Sequence, residues 1–166
     1  MFRLNRLTDY AVVVMGQMAA QNDRLRSSVQ IADETGVPLP TVAKLMNNLA
    51  RAGLVESHRG VNGGYTISRT ADQISVSEII QAIEGPIALT ACVEGADEAC
   101  SSQSFCPMSG NWNKVNQAIE EALKSVTLKD MTPAFTQFLR SDADAADAAN
   151  AKEQAPPLAR GNVPAP

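Results

Sequence analysis

The sequence predicts a mainly α-helical fold with one small β-hairpin, and three observations support this prediction. Two short helical patterns lie between residues 28 and 51, separated by a turn that contains glycine and prolines. Two short extended runs around several glycines follow directly, and a longer helical pattern begins near residue 108. A helix-turn-helix followed by a β-hairpin is the arrangement of a winged helix-turn-helix domain. The 166 residues are enough for such a domain, with its own core, and one additional long helix.

The first predicted helix covers residues 1 to about 21. Thr8 or Asp9 would begin it, because both side chains can accept hydrogen bonds from backbone N–H groups at a helix start. Its apolar residues recur at helical spacing and predict one buried face, formed by Val12, Val13, Met15, Gly16 and Ala19.

The helix-turn-helix is predicted from residues 28 to 51. Ser28 would cap the first helix, and Gly36 would end it in the left-handed conformation that glycine adopts easily. Pro38 and Pro40 suit a turn and the first positions of the next helix. The buried stripe of that second helix comprises Val42, Leu45, Met46 and Leu49, and Gly53 stops it. An ordinary helical hairpin without DNA-binding function is the alternative on this segment alone.

A β-hairpin is predicted directly after these helices. Its strands would be Leu54–Ser57 and Tyr65–Ser68, and the tip would contain Gly60, Gly63 and Gly64. The residues near the tip that could contact DNA are His58, Arg59 and Asn62. A solvated hairpin with an ordinary arginine is the alternative, but the preceding helices favour a DNA-binding wing.

Three further helices are predicted after the hairpin. One spans residues 73–84 and is capped near Ser75 or Ser77, and a short one starts in "TLKDM" at 127–131. Between them, residues 108–125 form a longer helix. Its apolar stripe suits either a helix-pair dimer seam or ordinary core packing, and comprises Trp112, Val115, Ile119, Ala122, Leu123 and Val126.

Charge and hydropathy limit the function classes. The net charge is −4, but residues 1–70 carry a net +3 and residues 71–166 a net −7, which weakly favours DNA binding by the first half. No apolar run approaches the roughly 20 residues that span a membrane. The N-terminus lacks a small-residue cleavage site and is interpreted as a helix, not a signal peptide. We therefore predict a cytoplasmic protein, with no membrane partner and no structural disulfide.

All three cysteines lie within fifteen residues, at Cys92, Cys100 and Cys106. Their spacing contains no C-x-x-C pair, so neither the common zinc pattern nor a thioredoxin-type motif fits. Thiolates are soft ligands that suit zinc or iron–sulfur clusters, and a fourth ligand would have to be another residue type. Three inert cysteines are the alternative. Because the one histidine lies in the proposed wing, cysteine catalysis is not expected, and the chain is predicted not to be an enzyme.

The chain resembles the Rrf-two (Rrf2) family of winged-helix transcription regulators, the IscR and NsrR type. The matching stretches are "RLTDYAVVVMGQMA", "IADETGVPLPTVAKLMNNLARAGLVESHRGVNGGYTI", "ISVSEIIQAIEG" and the three-cysteine segment. The motif "RGxxGGY", here Arg59 to Tyr65, followed about thirty residues later by three cysteines, is a specific combination. The resemblance covers roughly residues 1–135, and within the family it is strongest to regulators of the SUF iron–sulfur assembly system.

The resemblance implies a homodimer that binds double-stranded DNA at a pseudo-palindromic operator. It also implies an iron–sulfur cluster, with 2Fe–2S favoured over 4Fe–4S, held by the three cysteines. Some members use a histidine just after the third cysteine, but here Cys106 is followed by Pro107. In NsrR-like members an aspartate from the first helix of the other subunit serves, and Asp9 matches that position. The fallback oxygen donors are Glu94, Asp97 and Glu98.

The predicted DNA contacts lie on the second helix of the helix-turn-helix and on the wing. Pro40, Thr41 and Lys44 are near the end of that helix that meets base edges in such domains, and Arg59 would enter the adjacent minor groove. The remaining predicted contacts are Ser28, His58 and Asn62. The predicted function is a repressor that senses iron–sulfur status and controls SUF-type genes. The alternatives are a nitric-oxide or redox-responsive repressor of the same fold and a zinc-stabilised interaction module.

The predicted domain organisation follows from these elements. It comprises a winged helix-turn-helix domain (1–84), a cysteine cluster-binding loop (85–107), a dimerisation helix region (108–140) and a disordered tail (141–166). The tail is rich in Ala, Pro, Asp and Asn and has no apolar period.

Overall fold

The computed structural model describes residues 4–20, 24–60, 63–93, 95–96, 100, 105–107 and 110–132. Its elements, in chain order, are α1 (Arg6–Ala20), α2 (Ser28–Thr35), α3 (Leu39–Arg51), β1 (Val55–His58), β2 (Gly64–Ile67), a short 3₁₀ helix (Ala71–Gln73), α4 (Val76–Glu84), α5 (Asn111–Ser125) and α6 (Leu128–Met131). The predicted fold class is confirmed: the fold is mainly helical, with one two-stranded antiparallel sheet. The proposed tail, 141–166, lies outside the described residues.

Helix α1 lies at the centre of the core and contacts α2, α3, α4 and α6. It begins at Arg6, where the Asn5 side chain accepts a hydrogen bond from the Leu7 N–H at 3.1 Å, so the predicted start at Thr8 or Asp9 is wrong. The predicted buried face is right only in part, because Met15 and Gly16 are buried as predicted but the other three residues are not. The apolar side chains that α1 buries are Ala11, Val14, Met15 and Met18, whereas Val12, Val13 and Ala19 are half-buried.

Helix α2 is capped by Ser27, not by Ser28 as predicted. The Ser27 hydroxyl accepts from the Gln30 N–H at 3.3 Å, and the Gln30 side chain accepts from the Ser27 N–H at 2.9 Å. This reciprocal cap requires Glu or Gln three residues after the serine, which Ser27 has and Ser28 does not. Gly36 ends α2 with φ +70°, as predicted.

Helix α3 starts after Pro38 and buries the whole predicted stripe, since Val42, Leu45, Met46 and Leu49 are all fully buried. Strand β1 contacts α3 and pairs with β2 in the register Val55↔Ile67 to His58↔Gly64. Each strand is therefore one residue away from its predicted position, and Gly64 belongs to β2 rather than to the tip.

The remaining helices are linked through their ends. Ser75 caps α4 and Thr127 caps α6, and both caps are reciprocal, with Glu78 and Asp130 respectively. The Val76 N–H donates to the carbonyl of Val126 at 2.9 Å, and the Leu128 N–H donates to that of Ile74 at 2.8 Å. The strand-like contact between these two cap regions therefore fixes the C-terminal end of α5 beside the start of α4.

Helix α5 packs against α4 but buries little of its own apolar stripe. Trp112 is 40% exposed, Val115 44% and Val126 36%, and Leu123 is the stripe residue that packs on the small cluster of Val76, Ile80 and Ile87. Asn116 is the buried residue of this helix. In the described part of the chain, no helix is both long and apolar enough to cross a membrane.

The cap of α4 makes a testable contribution to stability. Burial alone would raise the pKa of Glu78, but hydrogen bonds from Ser75 and Arg69, together with the Arg69 charge, lower the pKa below its ordinary 4.5. A depressed pKa stabilises the fold above that ordinary value, and the stabilisation is lost as the pH falls below it. Because Arg69 and Glu78 are both more than a third exposed, solvent screens their pair.

Glu78→Gln should therefore lower the free energy of unfolding by about 0.5 kcal/mol near pH 7, and the loss should be smaller at pH 3. Urea unfolding at both pH values measures this. Glu121→Gln, an exposed carboxylate on α5, is the control. An equal loss at both pH values would show that the charge of Glu78 is not responsible.

Candidate nucleic-acid interface and cysteine segment

The N-terminal part of α3 presents the predicted contact residues to solvent. Pro40 and Lys44 are exposed and Thr41 is half-buried, opposite the buried stripe. The backbone N–H groups of Thr41 and Val42 donate to the carbonyl of Pro38 at 2.8 and 3.0 Å, which fixes the first turn. Ser28, at the first position of α2, is half-buried. This geometry permits contacts from Pro40, Thr41 and Lys44 to a DNA groove.

The same face presents two further candidate DNA contacts that the sequence analysis did not identify. Asn47 and Arg51 are exposed and follow Pro40 and Lys44 at the spacing of helix neighbours. An asparagine can hydrogen-bond an adenine edge, and an arginine can contact phosphate or guanine. The sequence could have revealed both residues, because the helical period that places the apolar stripe of α3 also determines which residues lie on the opposite face.

At the wing tip, the Gly63 N–H donates a hydrogen bond to the carbonyl of Gly60 at 2.9 Å. A Cβ atom on Gly63 would lie 2.5 Å from the carbonyl oxygen of His58 and 2.9 Å from that of Gly60, so only glycine fits. His58 is exposed, and its Nε2 lies 2.9 Å from the Thr66 hydroxyl across the hairpin. Arg59 is exposed beside the tip, and Asn62 lies outside the described residues.

Arg59→Ala should weaken binding to an operator selected from random duplexes by about 1–3 kcal/mol. The reason is the loss of one cation that the exposed wing tip can bring to the phosphates or the minor groove. Anisotropy titrations at several salt concentrations measure the affinity, and the salt slope should decrease by about one. Lys124→Ala is the control, since Lys124 lies on α5 and pairs with Glu120 at 2.8 Å. An unchanged affinity would mean that the wing does not contact DNA.

Asp9 is exposed in the first turn of α1 and lines an open groove of about 660 Å³. The groove lies between α1, α4 and α6, and its other lining residues include Leu4, Val12, Ile80 and Met131.

The first turn of α1 is held to the end of α4. The Asn5 N–H donates to Glu84 Oε1 at 2.8 Å, and the hydroxyl of fully buried Thr8 donates to the same oxygen. Asp9 is thus exposed on a helical turn that is hydrogen-bonded to the end of α4.

The three cysteines are free thiols, and each is half-buried. They occupy a segment outside the described helices and strands, in which Gly95 adopts φ +85°. Cys92 Sγ lies 3.1 Å from the Thr90 hydroxyl, within hydrogen-bonding distance for sulfur. Within the described residues, which include all three cysteines, no group of three or more His, Cys, Asp or Glu side chains is close enough to hold a metal ion.

The cysteine donor set nevertheless fits an iron–sulfur cluster chemically. The thiols are accessible, are not paired in disulfides and belong to one segment, and thiolates are the usual ligands of such clusters. A fully formed metal site rarely exists without its metal, because binding and local folding are coupled. The expected convergence of Cys92, Cys100 and Cys106 therefore stays a prediction.

Asn116 connects α5 to the residues that lead into the cysteine segment, and the sequence did not reveal this contact. Its side-chain amide donates to the carbonyl of Ile87 at 2.7 Å, and its Oδ1 accepts from the Leu89 N–H at 3.0 Å. The residue is only 6% exposed. A polar residue beside an apolar stripe is unremarkable in sequence, so only the packing shows that Asn116 fixes the segment leading to Cys92.

The fold and the exposed face of α3 together define a winged helix-turn-helix DNA-binding protein. The comparisons with known proteins place it in a family. Residues 4–134 match the model of the Rrf2 family, described as an iron-dependent transcriptional regulator. Protein aau3 of Rhizobium meliloti (strain 1021) is 32% identical over 136 residues, which are 82% of this chain and 88% of that protein. This chain belongs to the Rrf2 family of transcriptional regulators.

Two solved structures of the family have the same fold. CymR (YrzC), the global cysteine regulator of B. subtilis, superposes with a TM-score of 0.61 at 27% identity, over 80% of this chain and 97% of CymR. IscR of T. potens has a TM-score of 0.56 at 31% identity, over 78% of this chain and 85% of that one. The predicted family is confirmed, and transcription regulation through DNA binding follows from it.

Proposed function

We propose that this regulator is a homodimeric repressor that senses iron–sulfur status through a bound cluster and controls SUF-type assembly genes in the cytoplasm. One observation carries the proposal: three free, half-buried thiols occupy one short segment, and the residues that lead into it are hydrogen-bonded to α5. The match to a family described as iron-dependent supports it. The choice of SUF-type genes rests on the sequence resemblance.

The ligands would be Cys92, Cys100 and Cys106, with Asp9 of the other subunit as the fourth. The bound cluster would supply a redox-sensitive centre, of the 2Fe–2S type by preference. Asp9 is exposed beside an open groove, so a second copy of the chain could approach it. A carboxylate is a harder and more easily exchanged ligand than a thiolate, which suits a sensor.

Dimerisation would use the apolar stripe of α5. Trp112, Val115 and Val126 remain substantially exposed in the single chain, although α5 packs on α4 through Leu123. A helix face of this kind is normally covered by a partner. Pairing of two α5 helices would place the two copies of α3, the proposed recognition helices, on one duplex.

Coupling between the cysteines and the DNA-binding surface would use contacts that lie beside the cysteine segment and at the start of α1. Asn116 fixes the segment before Cys92 to α5, and Glu84 holds the first turn of α1, which carries Asp9, to the end of α4. Ordering of the cysteine segment would therefore constrain α5 of one subunit and α1 of the other. The distance between recognition helices must match one turn of DNA, about 34 Å.

The DNA contacts would be made by Pro40, Thr41 and Lys44 on α3 and by Arg59 on the wing. Ser28, His58 and Asn62 would contribute phosphate contacts. Base edges would be contacted from the first turns of α3, and the exposed lysine and arginine would neutralise phosphates.

The decisive experiment is purification without oxygen, followed by operator titration before and after chelation of iron. A brown protein with iron and sulfide, whose operator affinity changes on cluster loss, supports the proposal. Equal affinity of both forms would refute cluster-controlled binding. A colourless protein would favour a thiol-based cysteine sensor, which the likeness to CymR supports, or a zinc module, which metal analysis would identify. A nitric-oxide or redox signal would be recognised by its effect on the cluster.

Asp9→Ala should shorten the lifetime of the cluster in air severalfold and alter its absorption spectrum, because one ligand is lost. The same substitution should leave the fold intact, since Asp9 is exposed and Asn5 supplies the helix cap. The control is Asp33→Ala, an exposed carboxylate on α2. A spectrum and a lifetime identical to those of the unmodified protein would exclude Asp9 as a ligand.

A further inference from the structure

Arg26, in the connection between α1 and α2, is the most deeply buried charged residue among those described. Its side chain is 1% exposed. Burial of an arginine is costly unless the charge is paired, and most arginines lie at the surface. The residue also lies outside every motif identified from the sequence, so its burial requires a separate explanation.

The backbone of Arg26 adds a third strand-like segment to the wing. Its N–H donates to the carbonyl of Tyr65 at 3.1 Å, and its own carbonyl accepts from the Tyr65 N–H at 2.8 Å. The approach is close: a Cβ atom on Gly64 would lie 2.5 Å from the Arg26 carbonyl oxygen. The outer edge of β2 is therefore held to the segment that enters α2.

The side chain of Arg26 reaches two helices. Its Nη1 donates to the carbonyl oxygen of Gln17 on α1 at 3.2 Å, and its Nε lies 3.3 Å from Glu34 Oε2 on α2. Gln17 also donates to Glu34 Oε2, at 3.4 Å. One residue thus connects the wing, α1 and α2, and α2 leads directly into the recognition helix α3.

The energetics do not favour this arrangement as a simple stabilising contact. Burial lowers the pKa of Arg26, and the neighbouring Glu34 carboxylate offsets only part of that lowering. Its Nη2 has no hydrogen-bond partner in the described structure. Apolar residues that replace a buried ion pair are often equally stable. The contribution of Arg26 therefore lies in the geometry that its charge imposes.

We propose that Arg26 is a positioning residue that fixes the wing against the helix-turn-helix, and thereby sets where Arg59 lies relative to α3 on DNA. The functional consequence, the placement of Arg59 on DNA, rests on the proposed DNA contacts. The structural consequence, the fixed position of the wing, does not. An apolar side chain at this position would fill the space without directing the wing toward both α1 and α2.

The structural consequence can be measured without DNA. The chain contains two tyrosines, Tyr65 beside Arg26 and Tyr10 on α1, and fluorotyrosine labels both for ¹⁹F NMR. In Arg26→Met/Glu34→Gln, which removes the ion pair without leaving an unpaired charge, the Tyr65 resonance should broaden or split. The Tyr10 resonance should stay single. Leu128→Ala, which destabilises the core at α6, is the control and should leave the Tyr65 line shape unchanged.

The functional consequence is tested by a double-mutant cycle with Arg59→Ala. In the unmodified protein, Arg59→Ala should weaken operator binding by about 10-fold or more. In the Arg26→Met/Glu34→Gln background it should cost less than about 2-fold, because a misplaced wing has already lost its contact. In the Leu128→Ala background, Arg59→Ala should keep its full effect.

Additive effects in both backgrounds, or an unchanged Tyr65 resonance, would overturn the proposal. If Arg59→Ala has no effect in the unmodified protein, the proposed wing contact fails instead. The Tyr65 resonance then decides whether Arg26 holds the wing.

Discussion

Cys92→Ala is expected to remove most of the iron and nearly all of the visible absorption from protein purified without oxygen. Only two thiolates would remain in a chain with three cysteines, and iron–sulfur clusters normally have four protein ligands that are mostly cysteine. The variant should also bind the operator with the affinity of the cluster-free protein. Iron and sulfide analysis, visible spectra and anisotropy titration measure the three effects.

Ala91→Ser is the matched control for this variant, because Ala91 is exposed and directly precedes Cys92. It should retain iron, colour and the response of DNA binding. If Cys92→Ala keeps a full complement of iron, Cys92 is not a ligand. If it loses iron but binds the operator as the cluster-loaded protein does, the unmodified protein holds a cluster that does not control DNA binding.

Gly64→Ala is expected to destabilise the protein by about 3 kcal/mol and to disrupt the wing. The added methyl group would lie 2.5 Å from the Arg26 carbonyl oxygen and 2.7 Å from the carbonyl carbon. These atoms belong to backbone that pairs with Tyr65, so they cannot move without breaking two hydrogen bonds. Urea unfolding measures the stability, and operator binding of the folded fraction reports on the wing.

Gly36→Ala provides the comparison. Gly36 has φ +70°, but a Cβ there would meet no atom within 4 Å, so only backbone strain of about 1 kcal/mol is expected. Its DNA affinity should change little. Equal destabilisation by the two substitutions would mean that the close approach at Gly64 is relieved by movement of the 24–27 connection, and that this connection does not hold the wing.

The elements that could be predicted from the sequence are those in which local preferences decide the structure. Val42, Leu45, Met46 and Leu49 form the buried stripe of α3 because their spacing permits no other common arrangement. Gly36 ends α2 because it adopts the left-handed conformation at low cost. The family motif and the cysteine spacing likewise needed no tertiary information.

Errors of one residue arose where neighbouring positions offer similar chemistry. Ser27 and Ser28 are both good caps, and only the reciprocal partner Gln30 distinguishes them. The buried face of α1 was predicted only in part because that helix is apolar over most of its surface, so periodicity alone could not select the residues that face α2, α3 and α4.

The sequence by itself determined the winged helix-turn-helix class, the recognition helix, the wing and the candidate ligands. The class, the recognition helix, the wing and the three cysteines follow from local periodicity, turn chemistry and residue type, whereas Asp9 is a candidate ligand only through the family resemblance. Only the tertiary structure decided that Arg26 is buried beneath the wing, that Gly64 must lack a side chain, and that Asn116 fixes the segment leading to Cys92 against α5. Each of these joins residues far apart in the chain, and such contacts leave no local pattern because their energy depends on the partner that packing supplies.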